Sequence, residues 1–326
     1  MKVTFAEGLA KAIYESLEAD PKVMLIGSGF MGLNPVAQKT MEPVLKDFAA
    51  RISITPISEL GLAGAGIGAA LAGQRPLVDL STGSFIFQAF PQVVNEAANI
   101  HYMSGGQTNV PVTFYSLAGM RGGGAAQHSH RPQAMLGQVP GLQILMPGGA
   151  EDAYYMMKWA LRESRNPTVF ISHGLLLGET AEIDPAVPML PVGRARIRRE
   201  GRDVSIIAVS VTVPRALAAA SILEKEHGIS AEVVDLRSIA PLDRETLLRS
   251  LAKTGRAVVA DECNRSFGVA AEISATLAEE GLASLKAPVC RVAVPDVPVP
   301  FSAPLEEELT VTAAKIVAGA LKALGR

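Results

Sequence analysis

A single glutamate, Glu59, stands out in this sequence because apolar residues lie on both sides of it. It follows the run "RISITPIS" and precedes "LGLAGAGIGAALAG". Apolar surroundings disfavour an ionised carboxylate, so we expect a raised pKa and a carboxyl group that stays protonated near neutral pH. Such a group can donate a hydrogen bond to a ring nitrogen. The alternative is structural: Ser58 would be an N-cap, and the helix dipole favours a glutamate in the first turn.

The glycine-rich segment after Glu59 has two interpretations. Residues Gly64–Ala69 match the G-x-G-x-x-A pattern of dinucleotide-binding proteins, and Asp79 ends the next apolar run, where an acid would bind the ribose. In that fold, however, the glycines come directly off the first strand. Here residues 56–63 intervene, so we expect the glycines to lie inside a helix. Each costs about 1 kcal/mol there relative to alanine, and close packing against another backbone is the expected reason.

His128 is a second candidate for chemistry. It follows "RGGGAA", and a loop histidine with a pKa near neutrality suits acid–base work. The alternative is a surface histidine without a role. Arg121 and Arg131 flank this loop and could hold a substrate carboxylate or only face solvent. Three further histidines, which lie outside this loop, have no metal-ligand spacing; they are His101, His173 and His227. We predict no metal site in this chain.

Alternating strands and helices are predicted to position these residues. An amphipathic N-terminal helix precedes a series of short apolar runs: "KVMLIG", "RISIT", "RPLVDL", "VPVTFYSL", "LQILMP" and "PTVFIS". Helix-like segments separate these runs, which predicts a mostly parallel sheet. The pattern breaks where Pro185, Pro188 and Pro191 fall close together, and it resumes with "DVSIIAVS". We therefore predict an α/β protein with a first domain over 1–180, a linker over 181–200 and a smaller second domain over 201–326.

Composition narrows the class of protein. Of the 326 residues, 48% are hydrophobic and 19% are charged, as expected for sheets covered on both faces. The net charge of −2 gives no indication of a nucleic-acid or membrane partner. The two cysteines, Cys263 and Cys290, form no C-x-x-C pair, so we expect a soluble protein in a reducing cytoplasm.

Several blocks of this sequence, taken in order, resemble one family. They are "TPISELGLAGAGIGAALAGQRPLVDL", "FPQVVNEAANIHYMSGGQ", "GGGAAQHSHRPQAMLGQVPGLQILMP", "VVDLRSIAPLD" and "VPDVPVPFSAPLEEE". The chain is similar to the β subunit of thiamine-diphosphate-dependent 2-oxo acid dehydrogenases, the E1 components of pyruvate, branched-chain and acetoin dehydrogenase complexes. The resemblance implies a pyrimidine-binding domain, then a transketolase C-terminal-like domain. It also implies an α2β2 heterotetramer with an E1 α subunit.

The resemblance assigns roles to four residues. Glu59 matches the family's E-x-G glutamate, which hydrogen-bonds N1′ of the cofactor's aminopyrimidine and acts in catalysis. Ile57 would approach the cofactor, and Phe85 matches the aromatic position that stacks on the pyrimidine. His128 matches the histidine of the family's H-S-Q motif, with proposed roles in proton transfer and lipoyl contact. His130 replaces the glutamine of that motif, which leaves its role open.

The implied cofactors are thiamine diphosphate and Mg²⁺. The family holds the diphosphate and the metal through a G-D-G motif, which is absent from this sequence. The resemblance therefore implies that the α subunit holds both, and that a lipoyl-bearing E2 acyltransferase receives the acyl group from a small 2-oxo acid.

The sequence also departs from the family. An acidic pair after the first strand is replaced by Ser28 and Gly29, and Ser164 in "SRNP" replaces the aspartate of a potassium-binding loop. These changes cast doubt on the cation site and suggest a substrate other than pyruvate. Phe87, two residues after Phe85, we interpret as a core aromatic.

Three alternatives remain open at this level. The C-terminal half of a split transketolase-like enzyme shares the glutamate and both domains, but would need more basic groups for sugar phosphates. A non-catalytic assembly subunit would have lost its site. An NAD-dependent oxidoreductase ranks third.

Overall fold

The computed structural model describes residues 1–28, 35–184 and 189–326. Gly29 and two prolines of the predicted linker, Pro185 and Pro188, lie outside these ranges. The chain forms two compact α/β units. The first comprises Met1–Arg121 and Gln127–Met189, and the second comprises Gly122–Ala126 and Leu190–Arg326.

A parallel sheet forms the centre of the first unit. The strands of this unit are β1 (Lys2–Thr4), β2 (Val23–Gly27), β3 (Ile52–Ile54), β4 (Arg75–Thr82), β5 (Thr113–Ala118), β6 (Gln143–Leu145), β7 (Thr168–His173) and β8 (Thr180–Glu182). Strands β2 to β7 pair in parallel in the order β6-β7-β5-β4-β2-β3. Strands β1 and β8 form a separate antiparallel pair. The predicted parallel sheet is confirmed.

Helices follow most of these strands. Up to residue 189 they are α1 (Phe5–Ala19), α2 (Pro35–Asp47), α3 (Glu59–Leu71), α4 (Ala98–Met103), α5 (Ala125–His128), α6 (Gln133–Gly137) and α7 (Ala150–Arg162). The predicted N-terminal helix is α1, which begins at a capping box: Thr4 Oγ1 accepts from the Glu7 N–H, and the Glu7 carboxylate accepts from the Thr4 N–H.

The glycines after Glu59 do lie inside a helix, α3. The reason for them is close packing at one position, but the partner is a side chain rather than a backbone. A Cβ on Gly66 would lie 2.3 Å from Cγ2 of Val78 in β4. Gly64 and Gly68 lie on the exposed face of α3, and no atom lies within 4 Å of where a Cβ of Gly68 would be.

The second unit has its own, smaller sheet. Its strands are β9 (Arg196–Arg199), β10 (Val204–Ala208), β11 (Ala231–Asp235), β12 (Ser238–Ala240), β13 (Ala257–Asn264) and β14 (Cys290–Val294). Five of them pair in the order β14-β13-β10-β11-β9, parallel except for β9. The helices after residue 189 are α8 (Thr212–His227), α9 (Arg244–Thr254), α10 (Val269–Glu280), α11 (Ala303–Leu309) and α12 (Ala313–Ala323).

Strand β9 lies within the segment 181–200 that we predicted as a linker. The boundaries 1–180, 181–200 and 201–326 stay predictions. Across the described ranges, none of the helices has both the length and the apolar character needed to cross a bilayer.

The packing of α3 generates the first testable prediction. Gly66→Ala should destabilise the chain by about 1–3 kcal/mol, because the new methyl group overpacks against Val78. Gly68→Ala is the matched control. It should stabilise the chain by up to about 1 kcal/mol, because alanine is the better helix former and the site is open. Urea denaturation of both variants measures the two changes, and a stabilising Gly66→Ala would contradict the packing described.

Candidate functional site

The residues selected from the sequence follow three strands that end at one edge of the first unit's sheet. The loop after β3 leads to Glu59, a 3₁₀ turn at Gly83–Phe87 follows β4, and the segment after β5 leads to His128. Strand β2 lies between β3 and β4, so the axes of those two strands are about 10 Å apart. Ligands of open parallel sheets bind at this kind of edge.

Glu59 is the first residue of α3, and Ser58 is the N-cap without a side-chain hydrogen bond. The burial predicted for Glu59 is wrong for this chain by itself: the residue is only half-buried. The apolar neighbours point outward instead of covering it. Ile54 is 72% exposed, Ile57 is 73% exposed and Leu60 is 52% exposed. Glu59 thus lies on an apolar surface that faces solvent in the single chain.

Phe85 and His128 are brought together by the fold. Their ring centroids are 5.6 Å apart and the rings are nearly perpendicular, at 88°. Phe85 is half-buried in the turn after β4, while His128 ends the short helix α5 and is exposed. An edge-to-face contact of this kind favours one relative orientation of the two rings.

A second aromatic pair lies beside the first. Phe87 meets His130 with ring centroids 5.1 Å apart at 77°. Phe87 is half-buried, so the interpretation of this residue as a buried core aromatic is wrong. Partial burial of the His130 ring, and to a lesser extent the charge of Arg131, lower the pKa of His130 below the usual value for histidine.

The Arg121 side chain is hydrogen-bonded within the protein rather than turned toward solvent. Its guanidinium donates to the Leu117 carbonyl at 3.0 Å and to Thr82 Oγ1 at 2.9 Å. It therefore joins the end of β5 to the end of β4. Burial lowers the pKa of this guanidinium below its ordinary value, although far from any pH at which it would lose its charge.

Several polar residues at this edge were missed by sequence reasoning. The buried hydroxyl groups of Thr55, Ser81 and Ser129 have no hydrogen-bond partner among the described residues. Buried polar atoms without a partner are uncommon and call for an explanation, such as a bound ligand. The available signal was position: Thr55 follows β3, Ser81 lies near the end of β4, and Ser129 follows His128.

The "SRNP" loop after α7 is organised by Ser164. Its buried hydroxyl lies 2.8 Å from Gln143 Oε1 and 2.9 Å from the Asn166 carbonyl. The Arg75 guanidinium donates to the Ser164 carbonyl at 2.7 Å. Within the described parts of the chain, no three His, Cys, Asp or Glu residues cluster in a way that could hold a metal. The doubt about a potassium site here stays a prediction.

Comparison with known proteins identifies the family. Residues 1–179 match the pyrimidine-binding domain of transketolase, and residues 193–316 match the transketolase C-terminal domain. The mitochondrial pyruvate dehydrogenase E1 component subunit beta-1 of Arabidopsis thaliana is 44% identical over 94% of this chain and 85% of that protein. The chain belongs to the 2-oxo acid dehydrogenase E1 β-subunit family. The pyruvate dehydrogenase E1 β subunit of Rickettsia felis is 39% identical over 94% of each chain.

A solved structure gives the same fold for this member of the E1 β family. It is titled split gene transketolase, inactive beta4 tetramer, and matches with a TM-score of 0.81 and 29% identity over 99% of this chain and 98% of that one. The family and the order of its two domains, inferred from the sequence blocks, are confirmed. The dinucleotide-binding alternative loses its basis, because Gly64, Gly66 and Gly68 lie within α3 rather than in a turn directly after a strand.

The lowered pKa of His130 generates the second prediction. Above the pKa of the unfolded state, near 6.5, histidine is neutral in both states and adds no pH dependence. As the pH falls below that value, the unfolded chain takes up the proton first, so the stability of the folded chain should fall. His130→Gln should reduce this loss.

Urea midpoints at pH 8, 6.5 and 5 measure the effect. The exposed His227 provides the control, since His227→Gln also removes a histidine but in a separate helix. An identical pH profile for wild type and His130→Gln would show that His130 does not titrate as described.

Proposed function

We propose that this chain is the β subunit of the E1 component of a 2-oxo acid dehydrogenase complex. The observation that carries the proposal is the combination at one sheet edge of Glu59, with its apolar surface, and the Phe85–His128 pair. This edge offers a carboxyl group, an aromatic ring and buried hydroxyl groups. That set fits a planar, nitrogen-containing ring such as the pyrimidine of thiamine diphosphate.

Glu59 is the proposed proton-holding group. Its carboxyl lies at the N-terminus of α3, and in the described residues no side chain pairs with it. A ring lying over Ile54 and Ile57 would also cover the Glu59 carboxyl, and a protonated carboxyl there would donate its hydrogen bond to N1′. Thiamine diphosphate supplies a nucleophilic carbon and an electron sink, which side chains lack.

Phe85 and His128 are the other site residues that we propose. Phe85 offers a half-buried ring for stacking, with Ile57 as a further apolar contact. His128 is exposed on a short helix and can exchange protons with solvent and with an incoming acyl acceptor. The contact between the two rings keeps the imidazole beside the stacking surface. We propose proton transfer and contact with the lipoyl group as the roles of His128.

The apolar surface around Glu59 supports the need for a second subunit. Three large apolar side chains there are more than half exposed in this chain. Most of the exposed residues of α3 are small, which allows another helix to approach closely; they are Gly61, Gly64, Ala65 and Gly68, and the larger exposed residues are Leu60 and Leu71. We propose that an E1 α subunit covers this face in an α2β2 heterotetramer, and that it holds the diphosphate and Mg²⁺. The solved relative titled as an inactive beta4 tetramer is consistent with a β chain that needs a partner.

A lipoyl-bearing E2 acyltransferase is the proposed acceptor, and the cytoplasm is the proposed location. The relatives named above are pyruvate dehydrogenase subunits, which supports pyruvate as a substrate. Branched-chain 2-oxo acids and acetoin stay in the proposal because of the departures at Ser28 and Ser164. A split transketolase is the second candidate, supported by the fold match at 29% identity.

The role of Glu59 gives the third prediction. Glu59→Gln should lower turnover in the assembled enzyme by about 10²-fold or more, since an amide fills the same space but cannot exchange a proton with N1′. Folding should be unaffected, because Glu59 is half-buried. Glu96→Gln, an exposed change of the same kind in the same unit, is the control. Turnover equal to wild type in Glu59→Gln would rule out the assigned role.

The need for a partner gives the fourth prediction. The purified chain should bind thiamine diphosphate weakly and should not decarboxylate 2-oxo acids until a G-D-G-bearing α subunit is added. Calorimetry with thiamine diphosphate and Mg²⁺ measures binding. Rates with pyruvate, 2-oxoisovalerate and acetoin then identify the substrate.

A sugar-phosphate donor tests the split-transketolase alternative in the same assay. Tight Mg²⁺-dependent binding and turnover by the chain alone would overturn the partner and the subunit assignment together.

A further inference from the structure

A buried carboxylate, Glu306, holds the glycine-rich segment that leads to His128. Glu306 lies in α11 and is only 5% exposed. Its Oε1 accepts a hydrogen bond from the Gly122 N–H at 2.8 Å, and its Oε2 accepts one from the Gly123 N–H at 3.1 Å. The segment Gly122–Ala126 and Glu306 both belong to the second unit. One carboxylate therefore binds two successive backbone donors.

This contact restrains the most flexible part of the loop. Gly122 and Gly123 have φ values of +86° and +74°, and Ala125, two residues on, has φ +51°. Glycine loses more conformational freedom than any other residue when it becomes ordered, and three glycines stand in a row here. Hydrogen bonds to a charged acceptor are stronger than neutral ones. The two oxygens of Glu306 therefore favour one backbone conformation of a segment that could otherwise adopt many.

The loop is also held at its two ends. Before the glycines, Arg121 donates to Thr82 Oγ1. After them, the His130 N–H donates to Ser84 Oγ at 3.4 Å, and the rings of Phe85 and His128 are in contact. His128 comes five residues after Gly123, through Ala125 and the single turn of α5. The conformation of the glycines therefore sets where this turn begins.

We infer that Glu306 is a positioning residue that holds the imidazole of His128 beside Phe85. It would act through the backbone of Gly122 and Gly123, without contact with substrate or cofactor. The catalytic part of this inference rests on the role proposed above for His128, whereas the restraint itself does not. A carboxylate is required because both acceptors are used. In Glu306→Gln, the amide group would place N–H donors against the N–H of one glycine, and one of the two bonds would be lost.

Amide hydrogen exchange in the full chain tests the restraint. Glu306→Gln should speed exchange at one of the two glycine amides, Gly122 or Gly123, by about tenfold or more, the scale of one lost hydrogen bond to a charged group. Glu307→Gln is the matched control, because Glu307 is exposed on the same helix and the change in charge is the same. Exchange unchanged from wild type in Glu306→Gln would overturn the proposal.

Proton NMR of the histidine rings tests the positioning. The Phe85 ring shifts the His128 ring-proton resonances, and Phe85→Leu provides their position without that ring. In Glu306→Gln these resonances should move toward their values in Phe85→Leu, and in Glu307→Gln they should not. Faster exchange with unmoved His128 resonances would show a purely structural contact and would also overturn the positioning role.

A second variant covers the case in which Glu306→Gln does not fold. Gly123→Ala places a side chain at φ +74°, where an L-residue is strained, and its Cβ would be 3.9 Å from the nearest atom, Cε2 of Phe301. It should reproduce both the faster exchange and the moved resonances with Glu306 intact. Failure to do so would overturn the proposal.

Kinetic assays of the assembled enzyme then distinguish the positioning role of Glu306 from the proposed function of the chain. With the α subunit and thiamine diphosphate present, Glu306→Gln should lower kcat for lipoyl acylation more than it raises the KM for the 2-oxo acid. If wild type shows no thiamine-diphosphate-dependent turnover, the proposed function fails, while exchange and NMR still decide whether Glu306 positions His128.

Discussion

The parallel pairing of β3, β2, β4 and β5 is the constraint on which the candidate site depends. Parallel strands all end at the same edge, so three loops far apart in the sequence must meet there. Helix α3 in turn packs closely against β4 of this sheet. Gly66 provides this contact, because any larger side chain would push the helix away from Val78. The position of Glu59 at the start of α3 thus depends on a glycine two turns further along the same helix.

Much of this arrangement follows from local patterns in the sequence. Short apolar runs between helical segments predict the strands, because a buried parallel strand must be apolar on both faces. The separation of Gly64 from the preceding strand was enough to place the glycines inside a helix. Phe85 was selected by resemblance, and His128 was selected by its place in a loop as well as by resemblance. Their contact was not predicted, because it depends on the turn after β4 and the end of α5 meeting in space.

The errors have a common physical cause. The apolar neighbours of Glu59 in the sequence suggested burial, yet Ile54 and Ile57 are turned outward. A sequence shows which residues are apolar, but not whether the surface that covers them belongs to the same chain. Glu306 illustrates the converse. Nothing in "PLEEE" distinguishes the one buried glutamate from its two exposed neighbours, since its partners are backbone groups almost two hundred positions earlier.

The segment Gly122–Ala126 belongs to the second unit, which limits where the chain can be cut into two independent fragments. The two units are not joined by one linker alone, because five residues from the middle of the first unit's sequence belong to the second unit. A gene cut near residue 190 would give an N-terminal fragment whose loop lacks Glu306. Exchange of C-terminal halves between relatives would preserve the loop only where the incoming half carries a carboxylate at that position. Recombination of this chain near residue 190 therefore has to preserve the two hydrogen bonds that Glu306 accepts.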